Sequence, residues 1–188
     1  MSAAAVITLG LWLGSTALAG WLWLPARIGP WPAARESRPG RILVLAALVL
    51  LVGASAILAS TAAPLAGPWR WVGVVLGGAV VVLGGGAVTT CVLGLASAAA
   101  PTTARVQRDV LRGGAWIGVL ERLALLGTLL AGWPEGLAAI IAVKGLARYP
   151  ELRTLSGADT GAGERFIIGT FASLGWAAAC AWVLTALL

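Results

Sequence analysis

The chain has 188 residues, 60% of them apolar and 11% charged, and its mean hydropathy is +0.95. A soluble domain carries about 25% charged residues, so a water-covered exterior is excluded and an integral membrane protein is predicted. The absence of His and the presence of only two Cys exclude His-ligated zinc, haem and Cys–His nucleophiles; neither a metal nor a cofactor is expected.

The formal charge of +6 arises from 13 basic and 7 acidic residues. The Arg residues sit between apolar runs, so the charge reads as membrane topology and not as a nucleic-acid footprint.

Six spans are predicted within a single transmembrane domain, at 3–24, 42–63, 72–100, 115–133, 135–149 and 166–188. The first contains Ala17-Leu18-Ala19, which resembles a signal-peptidase site. No positive charge precedes it and the apolar run continues through Trp21 to Leu24, so an uncleaved helix is expected. A basic loop with Arg27, Arg35, Glu36, Arg38 and Arg41 leads to the second span. Pro64 and Pro68 punctuate the turn to the third. That span would be about 43 Å long as a helix, against a bilayer core of about 30 Å. It is expected to tilt, protrude or break, and Gly84-Gly85-Gly86 is the place for a break.

A linker with Arg105, Arg108 and Arg112 alternates with Val106, Val110 and Leu111, a pattern suited to a helix lying on an anionic inner leaflet. Pro134-Glu135-Gly136 ties the fourth span to the fifth, which is expected to stop at Pro150. The stretch from Ser156 to Gly163 reads as a flexible loop before the sixth span.

Basic residues concentrate in the loops after spans one, three and five, whereas the opposite loops hold only Arg70. The positive-inside rule therefore puts these loops in the cytoplasm and both termini outside, in the cytoplasmic (inner) membrane. Trp21, Trp23, Trp31 and Trp116 then fall at the inner interface, and Trp69, Trp71 and Trp133 at the outer one.

Charges inside the spans are the candidates for function, because each costs at least ~2.5–3.5 kcal/mol at a helix centre. Measured from the 133–135 turn at 1.5 Å per residue, Glu121 and Arg148 lie about 18 and 19.5 Å inward, and Arg122 and Lys144 about 16.5 and 13.5 Å. Antiparallel neighbours would bring Glu121 level with Arg148, and Arg122 within a turn of Lys144. Lys144 and Arg148 share a face, whereas Glu121 and Arg122 project about 100° apart. Glu164 can offset one cation if span six packs alongside.

Thr170 and Ser173 share a face of span six beside Gly169; such residues ordinarily bond their own helix backbone, with ligand lining as the alternative. Gly73 and Gly77, then Gly86 and Gly94, are spaced as helix-contact faces, within the chain or in a homo-oligomer. Cys91 and Cys180 are expected to be small apolar residues within spans.

Three ordered elements carry a resemblance. They are Ile117-Gly118-Val119-Leu120-Glu121-Arg122, then Lys144 and Arg148 on the next span, then Ile168-Gly169-Thr170 with Ser173 after it. Across about residues 113–175 the chain resembles the C-terminal segment of a bacterial membrane-protein family of unknown function. The resemblance implies that Glu121, Arg122, Lys144, Arg148 and Glu164 belong to one functional set.

The expected fold is an all-α polytopic membrane bundle of about six helices. The expected function is transport or conduction of an anionic or amphiphilic solute, lipid included, through a charged cluster in the cytoplasmic half. The alternatives are an enzyme acting on a prenyl- or phospholipid phosphate and a structural membrane subunit. Membrane lipids are the expected partners.

Overall fold

A computed structural model describes residues 2–23, 37–97, 114–154 and 160–188. Among these residues the secondary structure is helical throughout, without strands. Helix α1 is Ala3–Trp23 and α2 is Arg38–Ala59. Helix α3 runs from 68 to 97 in three consecutive parts: α-helical Pro68–Ala79, a π turn Val80–Gly84 and α-helical Gly85–Ser97. Helix α4 is Gly114–Leu130, α5 is Gly136–Thr154 and α6 is Thr160–Leu187.

Among the described residues four stretches are long and apolar enough to cross a membrane: Ala3–Leu22, Arg38–Ala59, Pro68–Ala96 and Gly163–Leu187. Helix α4 has 17 residues, and the apolar part of α5 is the shorter Gly136–Ala147. The chain is thus a helical membrane protein with four spanning-length helices and a shorter α4–α5 hairpin.

Local chemistry explains where the helices differ from the predicted spans. Helix α2 starts at Arg38, ahead of the apolar run, because the Ser37 hydroxyl accepts from the Gly40 N–H at 3.2 Å and Pro39 occupies the first turn. Helix α3 starts at Pro68, where a missing N–H leaves no intrahelical bond unmade; Gly67 before it takes φ +57°. The α4–α5 turn closes as a Schellman motif. Trp133 N–H donates to Thr128 O at 2.8 Å, Gly132 N–H donates to Leu129 O at 3.1 Å, and Gly132 takes φ +70°.

Two expectations are corrected here. Helix α5 passes through Pro150 and ends at Thr154, so the proline does not stop it. Helix α6 begins at Thr160, so Gly161 and Gly163 lie in a helix and not in a flexible loop. Arg27, Arg35, Glu36, Trp31, the linker arginines at 105, 108 and 112, and Gly157 lie outside the described residues.

Helices α3 and α6 form the centre. Helix α1 packs on α2 and on the first half and π turn of α3; α2 packs on the second half of α3 and on α6; α4 packs on α6 and around the π turn. Helix α5 is joined to the bundle chiefly through α4. The core holds Trp12, Leu48, Val80, Val81, Leu125, Trp176 and Leu184.

Two hydrogen bonds gather one end of the bundle. Ala63 N–H donates to Ser2 Oγ at 3.3 Å, and Leu65 N–H donates to Leu187 O at 2.7 Å. At the other end Arg41 Nη1 donates to Gly94 O at 2.7 Å, tying α2 to α3. Exposed tryptophans mark both ends, Trp69, Trp71 and Trp133 at the first and Trp21 and Trp116 at the second. The side chains of Trp23 and Trp31 are outside the described residues.

Of the alternatives open for the long third span, a break at Gly84–Gly86 does not occur. The chain stays helical, with the π turn immediately before Gly85. Trp176 Nε1 of α6 donates to Val80 O at 3.1 Å, within that wider turn. The glycines permit this approach: a Cβ on Gly84 would lie 2.7 Å from Trp176 Cζ2, and one on Gly85 would lie 2.4 Å from Arg122 Cδ.

The same holds along α3. The space beside Gly73 is taken by Leu65, beside Gly77 by Trp12 and Leu184, and beside Gly94 by Arg41, all side chains of this chain. Gly86 is buried. Cys180 is buried and Cys91 half-buried.

Gly84→Ala is expected to destabilise the protein by about 1–3 kcal/mol, the usual range for overpacking, because the Trp176 indole must move and release Val80 O. Gly53→Ala, with nothing within 4 Å of the added carbon, is expected to be neutral or slightly stabilising. Thermal unfolding of the purified variants in detergent checks both. Trp176→Phe, which keeps a ring and removes the donor, is expected to lose about 0.5–1.5 kcal/mol, the net worth of one hydrogen bond.

Candidate functional site

Helix α4 carries two adjacent charges, and the 100° step between them sends them to different neighbours. Glu121 faces α5, where its carboxylate is ion-paired with the Lys144 ammonium. The pair is mostly shielded, with Glu121 12% and Lys144 19% exposed. Lys144 Nζ also lies 5.8 Å from the centroid of the Phe166 ring on α6, within the range where an aromatic face attracts a cation. Around it, Val143 and Leu146 are among the most exposed apolar residues of the protein. The pair therefore lies at the edge of the bundle, where a surface suited to lipid begins.

Arg122 turns inward. It is 4% exposed, and its Nη1 donates to the Ser173 hydroxyl of α6 at 3.1 Å. Its aliphatic stem passes over Gly85 of α3, beside the π turn and Trp176. Its Nε is buried without a hydrogen-bond partner among the described residues. The nearest carboxylate in sequence, Glu121, is engaged by Lys144, and among the described residues that is the ion pair α4 makes.

The depth ruler placed Glu121 level with Arg148 and Arg122 near Lys144. The observed pairing is offset by about one turn of α5: Glu121 meets Lys144, and Arg122 belongs to the α3–α4–α6 junction. The Arg148 side chain lies outside the described residues, although its backbone is in α5. Glu164 is exposed and takes no part in the ion pair.

Thr170 and Ser173 depart from the expected backbone bonding. Thr170 Oγ1 is buried without a partner, and Ser173 accepts from Arg122.

Sequence reasoning missed Trp176 and the glycine contacts it makes. A signal existed: Trp12 and Trp176 fall in mid-span, away from the interfacial positions where Trp is enriched. Both are buried here. No group of three or more potential metal ligands occurs among the described residues. An open groove lined by Leu13, Trp71, Val72, Val75 and Leu76 is wholly apolar.

Neither a scan of protein-family models nor searches of curated proteins and of solved structures find a match to this chain.

Glu121→Gln and Lys144→Gln are each expected to destabilise by about 3–5 kcal/mol, the range for leaving one partner of a buried pair uncompensated. Residual exposure of both groups places the effect at the lower end. The double variant is expected to be destabilised by less than the sum of the two single ones, with a coupling of about 1–3 kcal/mol by thermal unfolding in a double-mutant cycle.

Proposed function

We propose that the protein moves an anionic or amphiphilic solute, lipids included, in the cytoplasmic membrane, using the charged face that α4 and α5 present beside α6. The observation that carries this reading is the position of the Lys144–Glu121 pair, shielded from the bundle exterior yet bordered by exposed Val143 and Leu146. Glu121 then acts as a resident counter-ion. An arriving anionic group exchanges for the carboxylate at Lys144, and its departure restores the pair, so the ammonium is never left alone in a medium of low dielectric. The resemblance across 113–175 counts Arg148 and Glu164 in the same functional set.

A second reading, a structural subunit, is favoured by one observation: Arg122 is closely packed and hydrogen-bonded inside the bundle, as a fixed element of the fold would be.

Reconstitution into liposomes separates the two. With a fluorescent anionic phospholipid or an encapsulated organic anion as probe, solute movement is expected with the wild type. The Glu121→Gln/Lys144→Gln double variant is expected to fold but to lose movement. Movement at the wild-type rate in the double variant would overturn the transport reading and favour the structural one.

The proposed topology is six crossings with both termini outside, α4 and α5 crossing as a hairpin. Single cysteines placed at 2 and 188, in a background without Cys91 and Cys180, are expected to react with an impermeant thiol reagent from the non-cytoplasmic side. Reaction from the cytoplasmic side alone would overturn this orientation.

A further inference from the structure

The Lys144–Glu121 pair has a definite depth, and three helices fix it independently. On α6, exposed Arg165 and Glu164 stand one and two residues before Phe166, whose ring centroid is 5.8 Å from Lys144 Nζ. On α4, exposed Trp116 stands five residues before Glu121, and on α5, exposed Tyr149 stands five residues after Lys144. These are axial offsets of about 1.5–3 Å on α6 and about 7.5 Å on α4 and α5. All four residues lie on the side of the pair toward the Trp21 end, cytoplasmic in the orientation proposed above. On the other side, the next exposed side chains are Leu123, Val143 and Ile167, all apolar.

Trp, Tyr and charged side chains collect at the headgroup layer, which is about 5–7.5 Å thick on each face of a bilayer. The pair therefore sits where that layer meets the hydrocarbon, and a Lys ammonium on its flexible four-carbon stem reaches the lipid phosphates from there. Both partners keep some exposure, and Lys144 is flanked on its own helix by exposed Val143 and Leu146. Its rim is apolar. A water-soluble anion must shed its hydration to cross that rim, whereas a lipid brings a phosphate to this depth with its chains already on apolar surface.

We propose that Lys144 binds the phosphate of an anionic phospholipid from the adjoining leaflet, the phosphate exchanging with the Glu121 carboxylate while the acyl chains lie along Val143 and Ile167. The Phe166 ring attracts the ammonium whichever anion is engaged. A zwitterionic headgroup carries its own cation, which competes with Lys144 for the phosphate, so net negative charge sets the preference. This names the solute class for the reading above, and rests on it only in taking Lys144 as the group that receives the anion.

Native mass spectrometry and thermal unfolding of the purified full chain test this, in detergent with added phosphatidylglycerol or with phosphatidylcholine of the same acyl chains. The wild type is expected to retain phosphatidylglycerol over phosphatidylcholine by at least about fivefold. Lys144→Gln is expected to lose that preference, and Arg70→Gln, at the other end of the bundle, to keep it. Glu121→Gln removes the competing carboxylate. It is expected to bind phosphatidylglycerol about tenfold more tightly than the wild type does, and to regain with that lipid most of the Tm it loses.

Equal retention of the two lipids by the wild type, an unchanged preference in Lys144→Gln, or no gain of affinity in Glu121→Gln would overturn the site. Should Lys144→Gln fail to fold, Glu121→Gln decides by the sign of its change. Should both fail, the wild type decides. Phosphatidylglycerol with a photoreactive group beside its phosphate is expected to label the peptides around Lys144 or Phe166, and labelling elsewhere alone would overturn the site. Movement of an encapsulated organic anion in liposomes, without any lipid preference at Lys144, would overturn this site and leave the transport reading standing. A wild type that meets every lipid test yet moves no solute would remove the transport reading and leave the site.

Discussion

The bundle is organised around one close approach. Where α3 passes from its π turn to Gly85, it has no side chain on the face toward α4 and α6, and the Arg122 stem and the Trp176 indole occupy that space. A single Cβ at Gly84 or Gly85 would meet them at under 3 Å. The π turn, the glycines, the indole hydrogen bond to Val80 O and the inward course of Arg122 are therefore one arrangement and not four separate features. Each makes sense only with the others present, because a densely packed interior has two-sided contacts and little slack.

That arrangement separates two charges that are neighbours in sequence. Glu121 and Arg122 would neutralise each other if they shared a face. Their divergence gives the carboxylate to Lys144 on α5 and commits the guanidinium to the junction with α3 and α6. The outer pair is balanced and borders lipid-facing residues. The inner cation is held by a neutral hydroxyl and by close packing. Burying a charge in a medium of low dielectric is unfavourable unless it is compensated, so the inner position is the one where the protein has invested most strongly in a single residue.

Helix α5 differs from the rest. Its packing is chiefly on α4, its apolar part covers only Gly136–Ala147, and much of its apolar surface is exposed. The Schellman turn at Gly132 and the Glu121–Lys144 pair fasten it at two points to α4. Helices α3 and α6, by contrast, carry the core.

Composition alone determined that this is a membrane protein, because a chain with 11% charged residues cannot solvate its own surface. Helix existence was legible too, since apolar runs of spanning length, proline at helix starts and glycine at helix ends act locally along the chain. The α4 and α5 charges stood out because ionisable residues are rare within apolar runs. Which charge met which was decided only in three dimensions. A one-turn offset between two antiparallel helices gave Lys144 to Glu121 and left Arg122 to another helix, and no spacing rule encodes that offset. The π turn was hidden for the same reason. The glycine triplet reads equally as a break or as a contact face, and it became a contact face because Trp176 and Arg122, many residues later in the chain, fill the space it leaves.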